Sequence, residues 1–304
     1  MAVYYETGVA STPLDLLEKL ETFAEAHGWT ADITVTASSR VLWNNSGGQV
    51  YMAVLAAATT WQTFGCLSVD TGVAWNAQPG ISGWSHTVTW GAGPFVAYHF
   101  YVGDEDNNDY IHVIVEISAG VFRHWTAGQL VKRGSYTGGV YTDSIAISGT
   151  AARRNESNSS EHRYICDARC DTNRGGHIWV DYDSKVDNWQ RVEEASSFTT
   201  TKCAGSFRTN GLIDALVSIG YTRWAERTML WPLEYFANRQ SSLRSPIGRI
   251  PHMRACNMTN LAPGDIITVG GETWQAFPPI ARHVSAPAEN VQTSGLYGYA
   301  YLRP

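Results

Sequence analysis

The sequence predicts a mainly β protein, with antiparallel meander and sandwich-like sheets, an N-terminal amphipathic helix and long irregular loops. Three features carry this expectation. Aromatic residues make up 12% of the 304 positions and glycine fills 28, while only 16% are charged, a balance that suits pleated sheets better than helical bundles. β-Forming side chains recur with a period of two through residues 95–102 and 110–117. Turn residues sit where hairpins need them, most clearly at Gly270-Gly271 between two alternating flanks.

The helix is expected over residues 12–28. Thr12 is a good N-cap, Pro13 suits the first helical position, Asp15 lies in the first turn and Gly28 terminates the run. Leu16, Leu17, Leu20, Phe23 and Ala24 share one face, which must dock on something apolar. Short strands follow around 32–36, 41–43 and 51–57, with a turn at 44–48, although residues 55–58 could equally be helical. The Gly-, Pro-, Ser- and Trp-rich stretch 69–93 reads as a loop that packs through Trp75, Trp84 and Trp90 or meets a neighbour.

The segment 94–141 is the most ordered part of the pattern. It reads as a meander of strands 95–102, 110–117 and 121–125, with a polar turn at 103–109 and a tight turn at 118–120. On the second strand Ile111, Val113, Val115 and Ile117 face one way, and His112, Ile114 and Glu116 the other. The apolar face needs a cover, either the N-terminal helix or a second sheet.

Two further strands are expected at 129–136 and 141–148, separated by 137–139. Polar residues 151–160 read as an exposed loop or linker, so the chain divides into 1–150, helix plus antiparallel sheet, and 151–304, a second β-rich half; the two can equally form a single domain. In the second half, 177–182 is a strand and 212–217 a strand or short helix. Residues 230–254 carry Pro232, Pro246 and Pro251 with Arg239, Arg244, Arg249 and Arg254, and are expected to leave the core as an extended arm onto a neighbouring subunit. A hairpin at 265–277 and a last strand at 295–301, closing a sheet, complete the chain.

A net charge of −6 and the lack of a basic stripe argue against nucleic acid as a partner. No apolar run reaches the ~20 residues needed to span a bilayer, and the first thirty residues lack the pattern of an export signal. Five cysteines, Cys66, Cys166, Cys170, Cys203 and Cys256, are odd in number and widely spread, as expected for free thiols in a reducing cytosol.

Each constellation with chemical potential has a plainer reading. Asp104, Asp106, Asn108 and Asp109 resemble the start of a calcium loop, but Asp109 stands where an EF-hand needs Gly and Val115 where it needs Glu, so the stretch reads as a solvated hairpin tip. His162, Cys166 and Cys170 are spaced by four, with His177 beyond, yet no second Cys pair completes a zinc set. Asp181 with Asp183, and Glu193 with Glu194, are the close carboxylate pairs, but neighbours on one strand do not bracket a glycosidic bond. Trp61, Trp75, Trp84, Trp90, Trp125, Trp179, Trp189, Trp224, Trp231 and Trp274 could stack on sugars, though core and subunit interface use the same residue. No catalytic, cofactor-binding or metal-ligating residue is therefore expected, and no enzyme.

Three stretches, residues 98–139, which include YVGDEDNNDYIHVIVEISAGVFRHWTAGQLVKRGSYTGG from Tyr101 on, residues 264–278 (GDIITVGGETWQAFP) and the C-terminal GLYGYAYLRP, make the chain resemble virion structural proteins of tailed bacteriophages. The resemblance implies a non-enzymatic subunit at the tail, neck or baseplate, assembled in the host cytoplasm into a symmetric oligomer. Its partners would be copies of itself and other virion proteins. A carbohydrate- or receptor-binding β domain of the particle is the alternative.

Overall fold

The computed structural model describes residues 2–32, 36–44, 50–82, 86–144, 179–182, 189–191, 203–205, 230–238, 244–258, 260–278 and 297–304. It is mainly β, with three antiparallel sheets and one short N-terminal helix. In chain order come β1 (Val3–Gly8), helix α1 (Pro13–Glu25), β2 (Thr30–Asp32), β3 (Ser39–Asn44), β4 (Val50–Ala56), β5 (Thr60–Cys66) and β6 (His86–Thr89). The meander supplies β7 (Ala97–Glu105), β8 (Asn108–Ser118) and β9 (Val121–Gln129), followed by β10 (Val131–Lys132) and β11 (Gly138–Ser144). Short strands β12 (Trp179–Tyr182), β13 (Trp189–Arg191) and β14 (Cys203–Gly205) precede the long pair β15 (Leu230–Asn238) and β16 (Arg244–Asn257). Last come β17 (Ile266–Val269), β18 (Glu272–Phe277) and β19 (Tyr297–Arg303).

The meander is the middle layer. A central sheet runs in the order β1-β7-β8-β9-β11-β12-β13. Successive residues of a strand point to opposite faces, and here both faces are covered. Ile111, Val113 and Val115 of β8 join Phe100, Val102, Trp125 and Ala127 in a core shared with α1 and the N-terminal sheet β2-β3-β4-β5-β6. Tyr110 and Ile114 of β8, with Tyr101, Phe122 and Tyr141, meet the C-terminal sheet β14-β15-β16-β19-β18-β17, whose strand β16 also takes β10. Both covers anticipated for the apolar face, helix and second sheet, are present. The third layer is the unexpected one.

Helix α1 forms as expected. Thr12 Oγ1 accepts a hydrogen bond from the Asp15 amide at 3.1 Å, and Gly28 takes the left-handed conformation (φ +89°) after the last turn. Leu16, Leu17, Leu20, Phe23 and Ala24 are buried, and Trp61 of β5 donates Nε1–H to the Pro13 carbonyl at 2.8 Å, fixing the helix start against the N-terminal sheet. Burial of each large apolar side chain on that face contributes about 1.5–3 kcal/mol.

Several local expectations need correction. Residues 103–109 are not one long turn. The ladder continues through Asp104↔Asp109 and Glu105↔Asn108, leaving a two-residue turn in which Asp106 (φ 55°) and Asn107 (φ 61°) are both left-handed. Asp and Asn tolerate that region, so polar residues here mark the turn centre and also the strand ends beside it. The strand expected over 51–57 is present as β4 and ends at Ala56, so 55–58 do not take the helical alternative, whereas the stretch 69–93 is not all loop, since it contributes a 3₁₀ turn at Trp75–Ala77 and strand β6. Strands β1 and β5 are additions to the expected set. The hairpin β17–β18 turns at Gly270 (φ 60°) and Gly271 (φ 87°) as expected, whereas β19 lies inside its sheet, between β16 and β18, and does not close its edge.

The arm expected to leave the core at 230–254 instead folds back into it. Where described, it forms β15 and β16, which pair with each other, and β16 also pairs with β19 and β10. Leu233, Ile247, Ile250 and Met253 are buried between the central and C-terminal sheets. The ladder is broken near the prolines: register shifts fall between Pro232 and Glu234 and between Tyr235 and Phe236, and the β15 pairing of β16 skips from Arg249 to Arg254, clearing Pro251. Pro232 and Pro246 stay within the ladder, opposite Arg254 and Phe236, each beside a register shift. Arg239, the linker 151–160, the turn residues 45–48 and the segment 212–217 lie outside the described residues.

Candidate functional site

The second face of the central sheet is where the chemistry-bearing side chains converge. Because β7, β8 and β9 are in register, their alternate residues His99 and Tyr101, Tyr110 and His112, and His124 and Thr126 form one polar, aromatic face. The C-terminal sheet answers it with His252, Gln275, Tyr299 and Tyr301. His112, His124, Tyr101 and Tyr110 are all fully buried.

The hydrogen bonds define the protonation of two imidazoles. His112 Nε2 lies 2.8 Å from the Pro251 carbonyl and His124 Nε2 lies 2.9 Å from the Pro278 carbonyl. A carbonyl only accepts, so both Nε2 atoms carry the proton. Each Nδ1 then accepts in its neutral form, from the Thr126 hydroxyl at 2.6 Å in His112 and from the Tyr301 hydroxyl at 2.6 Å in His124. Thr126 in turn accepts from Tyr141 at 3.1 Å. Tyr101 donates to Gln275 Oε1 at 2.6 Å, and Gln275 donates onward to the Gly264 carbonyl at 3.2 Å. His99 Nδ1 is 2.8 Å from the Tyr5 hydroxyl, and the Arg303 guanidinium sits 4.0 Å over the Tyr5 ring.

Burial disfavours the charged imidazole and pushes His112 and His124 down to about 3 and His99 down to about 4. His252 is also lowered, by burial first, against the opposing pull of Glu105. Tyr101 and Tyr110 are raised for the same reason, loss of solvation for the charged form.

At one end the seam closes on an ionic clamp. Glu105, the last residue of β7, accepts from Arg249 Nη2 at 2.5 Å and from the His252 amide at 2.6 Å, with Arg254 Nη2 at 3.4 Å. Burial would raise the Glu105 carboxyl, but Arg249, the His252 amide and Arg254 outweigh it and hold it below the usual range. His252 sits at φ 42°, an uncommon region for a residue with a Cβ, in the stretch where β16 breaks from β15. That conformation lets its amide reach Glu105 while its ring meets the Tyr110 hydroxyl at 3.0 Å. Arg254 also lies 5.0 Å over the Trp274 ring.

The residues weighed from the sequence fall elsewhere. Asp104 accepts from the Ala2 amide at 2.9 Å and faces Asp109 across the ladder, so the acidic tetrad is divided between strand pairing and turn. Asp181 lies in β12, paired with Trp189; His162, Cys166, Cys170, His177, Asp183, Glu193 and Glu194 lie outside the described residues. Among the tryptophans, Trp61, Trp90 and Trp125 pack edge to face in the apolar core, Trp274 is buried on the outer face of the C-terminal sheet, and Trp231 is 37% exposed. Trp84 and Trp224 lie outside the described residues, and Trp179 and Trp189 fall on short strands of the central sheet. Cys66 and Cys256 are free thiols whose burial pushes them up to about 12.

The seam itself was missed in the sequence. Its signal was one histidine on each of three consecutive strands, each two places from a hydroxyl-bearing residue: His99 and Tyr101, His112 and Tyr110, His124 and Thr126. No protein-family model matches the chain, and no curated protein matches it either. Among the described residues no helix is long and apolar enough to cross a membrane.

Proposed function

We propose that the chain is a non-enzymatic structural subunit of a tailed-bacteriophage virion, associated with the tail, neck or baseplate and assembled as a symmetric oligomer. The observation that supports this reading is the use to which the reactive side chains are put. His112, His124, Tyr101 and Glu105, the groups best suited to acid–base work, are enclosed between two sheets and bonded to the chain's own carbonyls, hydroxyls, amides and guanidinium groups. No buried polar atom of theirs lacks a partner. A catalytic group needs an open face toward substrate; these groups brace one layer on another. Purified protein examined by size-exclusion chromatography with light scattering is expected to form a closed multimer of defined copy number. A monomer at all accessible concentrations would count against the reading.

The alternative, a carbohydrate- or receptor-binding domain, has one observation in its favour. The outer face of the N-terminal sheet carries partly buried Trp43, Tyr51, Phe64 and Trp75, with Phe64 and Trp75 rings 5.4 Å apart. Aromatic faces of this kind stack on sugars. Saturable quenching of tryptophan fluorescence by an oligosaccharide, lost in Trp75→Ala, would favour that reading over the first.

A further inference from the structure

The two faces of the central sheet differ in one chemical respect. Among the described residues the buried histidines are His112, His124 and His252, all on the side of the C-terminal sheet, while the core against α1 and the N-terminal sheet has only the partly buried His27 at its edge, beside Phe23. The seam against the C-terminal sheet holds His99, His112, His124 and His252. We infer that this seam is an acid-operated release: charging of the four imidazoles frees the C-terminal sheet from the central sheet, while the opposite core stays closed.

Geometry carries the inference. A second proton on His112 must go to Nδ1, which now accepts from Thr126. Thr126 would then have to accept from both His112 and Tyr141, and its own hydrogen would lose its partner. Charging His124 likewise turns its Nδ1 from an acceptor of the Tyr301 hydroxyl into a donor toward the same oxygen, so the Tyr301 hydroxyl has to rotate. Neither change can be relieved by water while the sheets are docked, because both rings are fully buried.

The charged surroundings do not rescue the cations. His124 is opposed by Arg123 and His99, and His99 by Arg303. His112 is opposed by His252 and His124 and favoured by Glu105. His252 is favoured by Glu105, Glu272 and Asp104 and opposed by Arg254. The strongest of these anions, Glu105, is already engaged by Arg249 and Arg254. The Tyr5, Tyr110 and Tyr301 hydroxyls lie against the rings, and that of Tyr141 against Thr126.

The direction follows from linkage. A histidine held neutral in the fold but free to charge at about 6.5 when released contributes its full stabilisation above that pH. Each ring's factor in the docking equilibrium constant then falls about tenfold per pH unit as the pH drops toward the folded value, about 4 for His99 and about 3 for His112 and His124. Release is therefore expected between about pH 6 and pH 4, before most carboxylates are protonated.

Hydrogen exchange of the intact chain at about pH 7 and about pH 5, corrected for intrinsic rates, tests this. Amides of β16, β18 and β19 are expected to lose at least about a hundredfold in protection, while those of α1, β3, β4 and β5 keep theirs. The double variant His112→Gln, His124→Gln, whose amides can donate and accept without titrating, should lose markedly less protection at the lower pH, only the share due to His99 and His252. If that variant does not fold, the wild-type comparison still decides. Loss of protection in every layer together, or none until the pH falls below about 4, would overturn the inference.

Discussion

Leu20→Asp is expected to leave no folded protein. Leu20 is 0% exposed in the middle of α1, on the face shared with Leu16 and Phe23, in the same core as Ile111, Val113 and Val115 of the central sheet. The substitution removes about 2–3 kcal/mol of apolar burial. It also places a carboxyl where no polar partner exists, which costs several kcal/mol more whether the group stays charged or takes up a proton. Together these approach the ~5–15 kcal/mol that holds a typical domain folded. Expression should yield insoluble protein, with no cooperative transition in any soluble fraction. Wild-type solubility with a wild-type melting temperature would show that α1 is dispensable to the core.

Glu105→Ala is expected to be the most damaging change in the seam. Glu105 ends β7 and is the carboxylate that Arg249, Arg254 and the His252 amide share, with the Glu105 side chain 7% exposed and the two arginines 17% and 16%. Removing it strands two largely desolvated cations and orphans a strained backbone amide. Breaking a buried pair by deleting one partner costs about 3–5 kcal/mol. Glu105→Gln should lose less, since its amide oxygen can still accept. In an Arg249→Met background the cost of Glu105→Ala should shrink, because one stranded cation is gone. Urea unfolding of the wild type and the four variants measures this, and a Glu105→Gln protein as stable as the wild type would mean that the charge has no part in the clamp.

The sequence and the structure agree most closely where local chemistry determines geometry. Thr12, Pro13 and Gly28 bound a helix by capping, proline preorganisation and a left-handed stop, all readable within one turn. Gly270-Gly271 specified a hairpin for the same reason. The meander was legible because its strands alternate and are joined by short turns. Elsewhere the decisive information was non-local. Pro232, Pro246 and Pro251 argued against a buried strand pair by a sound rule about missing donors, yet the pair forms, with its β15 pairing interrupted around Pro251 at a position no local pattern marks.

The seam was illegible for a related reason. His112, Ile114 and Glu116 read only as a mixed set, and the apolar face alone was taken to need a cover. Only the third layer makes that face an interior, and its residues come from positions more than a hundred places away: Pro251 beside His112, Tyr301 beside His124, Gln275 beside Tyr101. Buried imidazoles gain partners there that no window of sequence contains.

Nitrogen NMR of the histidine rings at about pH 6 tests most directly whether the seam is a neutral brace. His112 and His124 are expected to be uncharged, each with its proton on Nε2, and to remain so down to the pH at which the C-terminal sheet is released. Rings that titrate near 6.5 in the folded protein, or that carry the proton on Nδ1, would contradict the account.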